Sequence, residues 1–124
     1  VLRPDGAVAF VTNSTSGTVS AITLATQTVS TITVGFSPAD LRMRPGTNEL
    51  WVANYASGTM SIVNAQTFTE TTFFSTSGAP SDIVFSANGA LAYVSFPLTD
   101  EVKVYNAATR TVVETFPVTD NPQG

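Results

Sequence analysis

The sequence contains no cysteine, no histidine, a single lysine (Lys103) and a single tryptophan (Trp51), and 11% of its 124 residues are charged, where an average soluble domain carries roughly 25%. Without thiols or imidazoles, disulfides, thiol nucleophiles, imidazole general bases and the usual zinc, copper or haem ligation are excluded, and no cofactor is implied. Five basic residues stand against nine acidic ones, a formal net charge of −4. No basic stripe is available for phosphate contacts, so nucleic acid is not an expected partner. No run approaches the roughly 18 consecutive apolar residues of a membrane-spanning helix, and no basic segment followed by an apolar stretch opens the chain; membrane insertion is not expected. Disorder is excluded too, because 43% of the residues are hydrophobic and the net charge is small.

What takes the place of charge is hydroxyl. There are 20 threonines and 12 serines, about a quarter of the chain, and β-branched and hydroxylated side chains favour strands over helices. These residues are arranged in a repeat. Ala7-Val8-Ala9-Phe10-Val11-Thr12-Asn13 returns as Glu49-Leu50-Trp51-Val52-Ala53-Asn54, and more loosely as Ala90-Leu91-Ala92-Tyr93-Val94-Ser95-Phe96. The aromatic positions Phe10, Trp51 and Tyr93 are spaced by 41 and 42 residues. Ser16-Gly17-Thr18-Val19-Ser20 matches Ser57-Gly58-Thr59-Met60-Ser61, with Thr99-Asp100-Glu101-Val102-Lys103 as the third copy. Pro38, Pro80 and Pro122 follow at steps of 42. The repeats divide the chain into one array of three units, approximately residues 1–37, 38–79 and 80–124.

Each unit reads as four short strands separated by turn chemistry. In the second, the strands are expected at Asp40–Arg44, Glu49–Asn54, Thr59–Asn64 and Thr69–Ser75. The first turn is Pro4-Asp5-Gly6, Pro45-Gly46-Thr47-Asn48 and Ala87-Asn88-Gly89 in the three copies, and Asp-Gly or Asn-Gly is the strongest short hairpin signal. No segment keeps a 3.6-residue apolar period, so no helix is expected beyond a turn. Four antiparallel strands every roughly 40–45 residues is the arithmetic of a β-propeller blade. The expected fold is therefore all-β, with three four-stranded blades per chain.

The same motifs resemble the YVTN family of β-propeller repeats, across essentially the whole chain. The resemblance is carried by Pro4-Asp5-Gly6, Phe10-Val11-Thr12-Asn13 and Ser16-Gly17-Thr18-Val19, by Trp51-Val52-Ala53-Asn54, Ser57-Gly58-Thr59-Met60 and Gly78-Ala79-Pro80, and by Asn88-Gly89 and Tyr93-Val94-Ser95. The third copy departs most. It has Phe96-Pro97-Leu98-Thr99-Asp100 where the family has Asn, small polar residues and Gly, so its second hairpin is expected to be reshaped.

Three blades are too few to close, since propellers use roughly 4–8, and an open arc exposes the apolar faces of its end blades. Joining Pro122-Gln123-Gly124 to Val1-Leu2-Arg3-Pro4 continues the repeat in phase. Val1, Leu2, Arg3, Pro122, Gln123 and Gly124 are therefore the expected oligomer interface, with two chains head to tail making a six-bladed ring. Whole repeats taken from a longer propeller have the same phase, and a first residue other than Met suits such a piece or a processed product. A contact that fails to close grows a filament instead.

Acidic and basic residues near the expected channel are the candidate ligand-binding groups. Asp40 and Asp82 share one repeat position, with Gly124 as the third equivalent, and carboxylates there could hold a cation or polar ligand; the competing role is accepting backbone N–H groups at a turn. Arg42 and Arg44 are two apart and share a face, free to bind an anion or to pair with Asp40 or Asp82. No residue is assigned as catalytic or as a metal ligand. Asp5, Asp100 and Glu101 read as solvated loop charges, and Phe10, Trp51 and Tyr93 as inter-blade packing. Phe73 and Phe74 face opposite ways, leaving one exposed. Asn13-Ser14-Thr15 matches the N-glycosylation pattern on a loop.

The YVTN resemblance implies a non-catalytic cell-surface or secreted scaffold, as in surface-layer proteins, that binds proteins or ligands and self-assembles. The hydroxyl-rich, lysine-poor, cysteine-free composition agrees with an extracellular location. Propellers of similar sequence also resemble lactonase-like hydrolases with a channel-mouth active site. That alternative would rest on Asp40, Asp82, Arg42 and Arg44 without a histidine, with a carboxylate as general base; a polymer-forming module is the third reading.

Overall fold

The structure, a computed structural model, describes residues 1–118. It has eleven strands: β1 (Val8–Asn13), β2 (Thr18–Thr23), β3 (Thr28–Thr33), β4 (Pro38–Met43), β5 (Glu49–Asn54), β6 (Thr59–Asn64), β7 (Thr69–Ser75), β8 (Ile83–Phe85), β9 (Leu91–Phe96), β10 (Glu101–Asn106) and β11 (Thr111–Pro117). There is no helix among the described residues. The strands form three antiparallel meanders in chain order: β1–β3, β4–β7 and β8–β11.

Two expectations are corrected by the strand pairing. The first repeat is not four-stranded: its sheet has three strands, and ahead of Pro4 the chain makes only an isolated bridge, Leu2 to Ala9. The three residues before Pro4 reach β1 only between Val8 and Phe10, through Arg3 N–H to Val8 O and the paired Val1 and Phe10 main chains. The innermost strand of the second repeat runs over Pro38–Met43 rather than Asp40–Arg44. The other three strands of that repeat fall where the turn residues put them.

The expected reshaping of the third copy's second hairpin does not occur. β9 and β10 pair from Phe96 opposite Glu101 in the same register as Asn13 opposite Thr18 and Asn54 opposite Thr59. Asp100 takes the left-handed conformation (φ 54°) that Gly17 (68°) and Gly58 (65°) hold in the other copies. Aspartate is among the few side chains that tolerate it. The carbonyl of that residue then accepts the same outer-strand N–H in all three sheets, from Val34, Thr76 and Val118.

The sheets stack face to face, and each has a distinct front and back. Phe10 of β1 faces a core shared with Leu41, Leu50, Val52 and Val63 of the second sheet. Trp51, on the other face of β5, lies in a second core with Ile83, Ala92, Val94 and Tyr105 of the third sheet. The middle sheet is thus covered on both sides, and β5 is buried from Leu50 to Asn54 without alternation, as sheets enclosed on two faces are. Phe10 and Trp51 are fully buried, whereas their repeat partner Tyr93 is 39% exposed on the front of the third sheet. Inter-sheet packing therefore describes two of the three aromatic positions; at the third nothing among the described residues lies in front.

Trp51→Ala should lower unfolding free energy by about 3–5 kcal/mol, the cost of emptying a large core site, while Tyr93→Ala in dilute solution should stay within about 0.5 kcal/mol. Urea midpoints of the two variants check the contrast; equal losses would mean that Tyr93 is covered.

Candidate functional site

The innermost strand of the second sheet carries the charged row singled out in the sequence. Asp40 and Arg42 lie opposite Ala53 and Trp51, so they share the front face that packs on the third sheet, and Arg44 follows them. All three reach across to main-chain atoms of that sheet. Asp40 Oδ2 accepts the Ile83 N–H at 3.0 Å, Arg42 Nε donates to the Ile83 carbonyl at 3.1 Å, and Arg44 Nε donates to the Gly89 carbonyl at 2.8 Å. One residue, Ile83, is thus held by its N–H and its C=O at once, much as a neighbouring strand would hold it. Arg42 Nε also lies 3.5 Å from Asp40 Oδ2, the expected pairing with Asp40. Asp82 is not brought into this cluster: it sits at the same repeat position one sheet further on, with its N–H bonded to Ser95 Oγ.

Arg44 turns to Glu49, a residue to which the sequence pattern assigned no role. Glu49 receives Arg44 Nη1 at 3.3 Å, Trp51 Nε1 at 3.0 Å and, from the third sheet, Arg110 Nη2 at 3.7 Å. The signal was available: Glu49 stands where the other copies have Val8 and Leu91, and a charge at an apolar repeat position needs partners. Arg110 also follows a rule of the fold. It holds a left-handed turn (φ 60°), as Phe68 does (φ 60°) in the second sheet, and Phe68 packs edge-on against Phe10 with centroids 6.0 Å apart. In both sheets the left-handed residue between the two outermost strands reaches back to the sheet behind.

The hairpin tips carry a second repeated network. Asn13 Nδ2 donates to Thr18 Oγ1 and Ser20 Oγ, and Asn54 Nδ2 to Thr59 Oγ1 and Ser61 Oγ. In the third copy Phe96 and Lys103 replace the Asn and Ser: the Lys103 ammonium sits 4.6 Å from the Phe96 ring centre and donates to the Thr76 carbonyl. Asn54 is packed so closely against the connection between sheets that a Cβ on Gly35 would come within 2.7 Å of its side chain. The nitrogen of Asn13 that a glycan would need is thus engaged in two hydrogen bonds.

The remaining candidates divide. Asp5 is an exposed charge in a turn that also has partners: it pairs with Arg3 at 2.9 Å and accepts the Ala7 N–H, and the Arg3 hydrogen bond, then that N–H, draw its carboxyl below the ordinary value. Arg3 in turn donates from Nη1 to the Ala65 carbonyl of the second sheet, so it staples sheets within the chain. Phe73 is 62% exposed while Phe74 packs on Trp51 and Tyr105. Val1 and Leu2 are exposed; Pro122, Gln123 and Gly124 lie outside the described residues. Burial, and to a lesser degree the Glu101 charge, pushes the Tyr105 hydroxyl up to about 12.

Asp40→Ala should destabilise the fold by about 1–3 kcal/mol, because it strands the Ile83 N–H at a half-buried junction; Asp40→Asn, which keeps an acceptor, should recover part of that, as thermal melts would show. Tyr105 has a folded pKa raised above its ordinary value of 10, so the stability it contributes is whole below pH 10 and is lost as pH climbs through about 12. Denaturation midpoints should fall over that interval, and Tyr105→Phe should flatten the fall.

No protein-family model and no curated protein matches the sequence. Solved structures do. The chain is similar to hydrazine synthase of Kuenenia stuttgartiensis, with 25% identity and a TM-score of 0.87 over 96% of this chain and 35% of that one. It is similar to the dihydro-heme d1 dehydrogenase NirN, with 18% identity and a TM-score of 0.79 over 96% of this chain and 29% of the other. A putative 6-phosphogluconolactonase of Bacteroides fragilis shows 21% identity and a TM-score of 0.78 over 98% of this chain and 39% of that one. The chain therefore spans 29–39% of the length of these proteins. They are β-propeller proteins, and the likeness shows a propeller-type fold for the three stacked sheets.

Proposed function

We propose that the chain is a three-blade stretch of a YVTN-type propeller scaffold that acts by binding, outside the cell or on its surface, with its two end faces covered by further blades. The observation that carries this reading is the commitment of the channel-side row. Asp40 and Arg42 are bonded to the Ile83 main chain, and Arg44 to Gly89 and Glu49. A carboxylate whose oxygen holds a backbone N–H of the next sheet serves assembly; it is not positioned to take a proton from a substrate. The composition, rich in hydroxyls and without cysteine, supports an extracellular setting.

The lactonase-like reading is favoured by two observations: the likeness to a putative 6-phosphogluconolactonase, and the 48% exposure of the Arg42 side chain beside Asp40, which would suit an anionic sugar acid. The two readings differ in a direct assay. Hydrolysis of 6-phosphogluconolactone should proceed at its spontaneous rate with the chain and with Asp40→Asn alike. Turnover that the Asp40→Asn change abolishes would replace the scaffold with a hydrolase.

A further inference from the structure

On the back of its outermost strand the second sheet departs from the other two. Opposite Val63 stands Glu70, where the first and third sheets have Val29 opposite Ile22 and Val112 opposite Tyr105. Opposite Ser61 stands Phe73, where the other sheets have Thr31 opposite Ser20 and Thr115 opposite Lys103. Glu70 and Phe73 are three positions apart, which in a regular strand sets side chains on opposite faces. The register shift of β7 opposite Ile62 and Val63 leaves Thr71 unpaired and brings both residues to the face of Ser61 and Val63, the face that packs on the first sheet. An acid thus replaces an aliphatic residue, and an exposed ring replaces a hydroxyl, on one face of one strand.

These two residues flank a cavity of about 230 Å³ between Val34 and Gly35, in the connection from the first sheet, and Thr59, Ser61, Glu70 and Phe73 of the second. It is small beside the roughly 300–1,000 Å³ of sites for drug-sized ligands. Ser61 Oγ accepts from Asn54 Nδ2 and donates to Glu70 Oε2. Among the described residues Glu70 Oε1 has no partner, and no arginine or lysine pairs with this carboxylate. The cavity therefore offers an unneutralised carboxylate, hydroxyl oxygens and an aromatic ring. Glu70 would repel an anion, and a calcium ion takes roughly 6–8 oxygen ligands rather than one carboxylate beside a ring.

The next junction holds the kind of group that fits. Lys103 occupies the Ser61 position there, and Thr76 the Val34 position, since Thr76 and Val34 each donate an N–H to the left-handed glycine of the hairpin behind them, Gly58 and Gly17. The Lys103 ammonium donates to the Thr76 carbonyl at 2.9 Å and lies 4.6 Å from the Phe96 ring centre. At the first junction serine stands in the lysine's place, and a carboxylate and a ring are added around the space. We propose that the cavity behind the second sheet binds a primary alkylammonium group, its nitrogen held by Glu70 and the Val34 carbonyl with the Phe73 ring beside it. An ammonium has three N–H donors and no acceptor, which matches a lining of carboxylate, carbonyl and hydroxyl oxygens, and aromatic faces attract it. The group can arrive on a free amine or on the lysine side chain of another protein; the chemistry is the same. β7 is at the opposite edge of the sheet from the Asp40–Arg44 row of β4, so this site goes beyond the choice between scaffold and hydrolase.

Titrating the isotope-labelled chain with n-butylammonium chloride and with Nα-acetyl-lysine methylamide, at fixed ionic strength, should move the amide resonances of Val34, Gly35, Thr59 and Phe73, whereas n-butanol and sodium chloride should not. Glu70→Gln, at an exposed position and with an acceptor kept for Ser61, should weaken binding about tenfold, the loss of one charge-assisted hydrogen bond. Phe73→Ala should weaken it about two- to fivefold. Tighter binding of the lysine derivative would support the site with a protein as the source of the ammonium, and tighter binding of butylammonium would support it with a free amine. No shift with either amine, equal shifts with n-butanol, or undiminished binding by Glu70→Gln would overturn the site. Each of those results would leave the scaffold reading standing, because that reading rests on the commitment of the β4 row.

Discussion

The structure depends on the difference between the two faces of each sheet. One strand, the second of each repeat, sets an aromatic on the front and aliphatic residues on the back, and the front of one sheet is filled by the back of the next. Phe10 and Trp51 are fully buried because a following sheet exists for them; the repeat aromatic at position 93 is partly exposed because the described chain provides none. Dispersion and apolar burial therefore act between sheets, while main-chain hydrogen bonds act within them. A repeat of this kind has a core only where two units meet.

On that apolar frame the polar residues act as inter-sheet ties. Arg3 reaches Ala65, Asp40 and Arg42 hold Ile83, Arg44 holds Gly89, and Lys103 reaches Thr76, and each of these acceptors or donors is a main-chain group of an adjoining sheet or connection. Sheets stacked by side chains alone leave end groups of short strands unpaired, and β8 is only three residues long. Charged side chains supply the missing partners at those ends. The same residue types would look, in a bare sequence, like a ligand site, and the difference lies only in what faces them.

The third repeat shows how far the pattern bends without breaking. Asp100 stands for glycine at a left-handed turn, and Phe96 with Lys103 stands for the Asn and Ser of the other tips. Both exchanges keep the backbone register and change the chemistry: a cation over a ring, tied to Thr76, substitutes for an amide and two hydroxyls. Glu49 is a similar local exception, an acid at an apolar position, matched by Arg44, Trp51 and Arg110.

Periodicity, turn residues and alternation were enough to read three sheet units, the strand limits of β5, β6 and β7, the opposed orientations of Phe73 and Phe74, and the shared face of Arg42 and Arg44, because each follows from the chain's own geometry over a few residues. Other features came from contacts between residues some forty positions apart. The partners of Asp40 and Arg42 are set by where β8 falls against β4, and the role of Glu49 by an arginine from the next sheet. A local pattern specifies which way a side chain points; only the stacked sheets decide what it meets there.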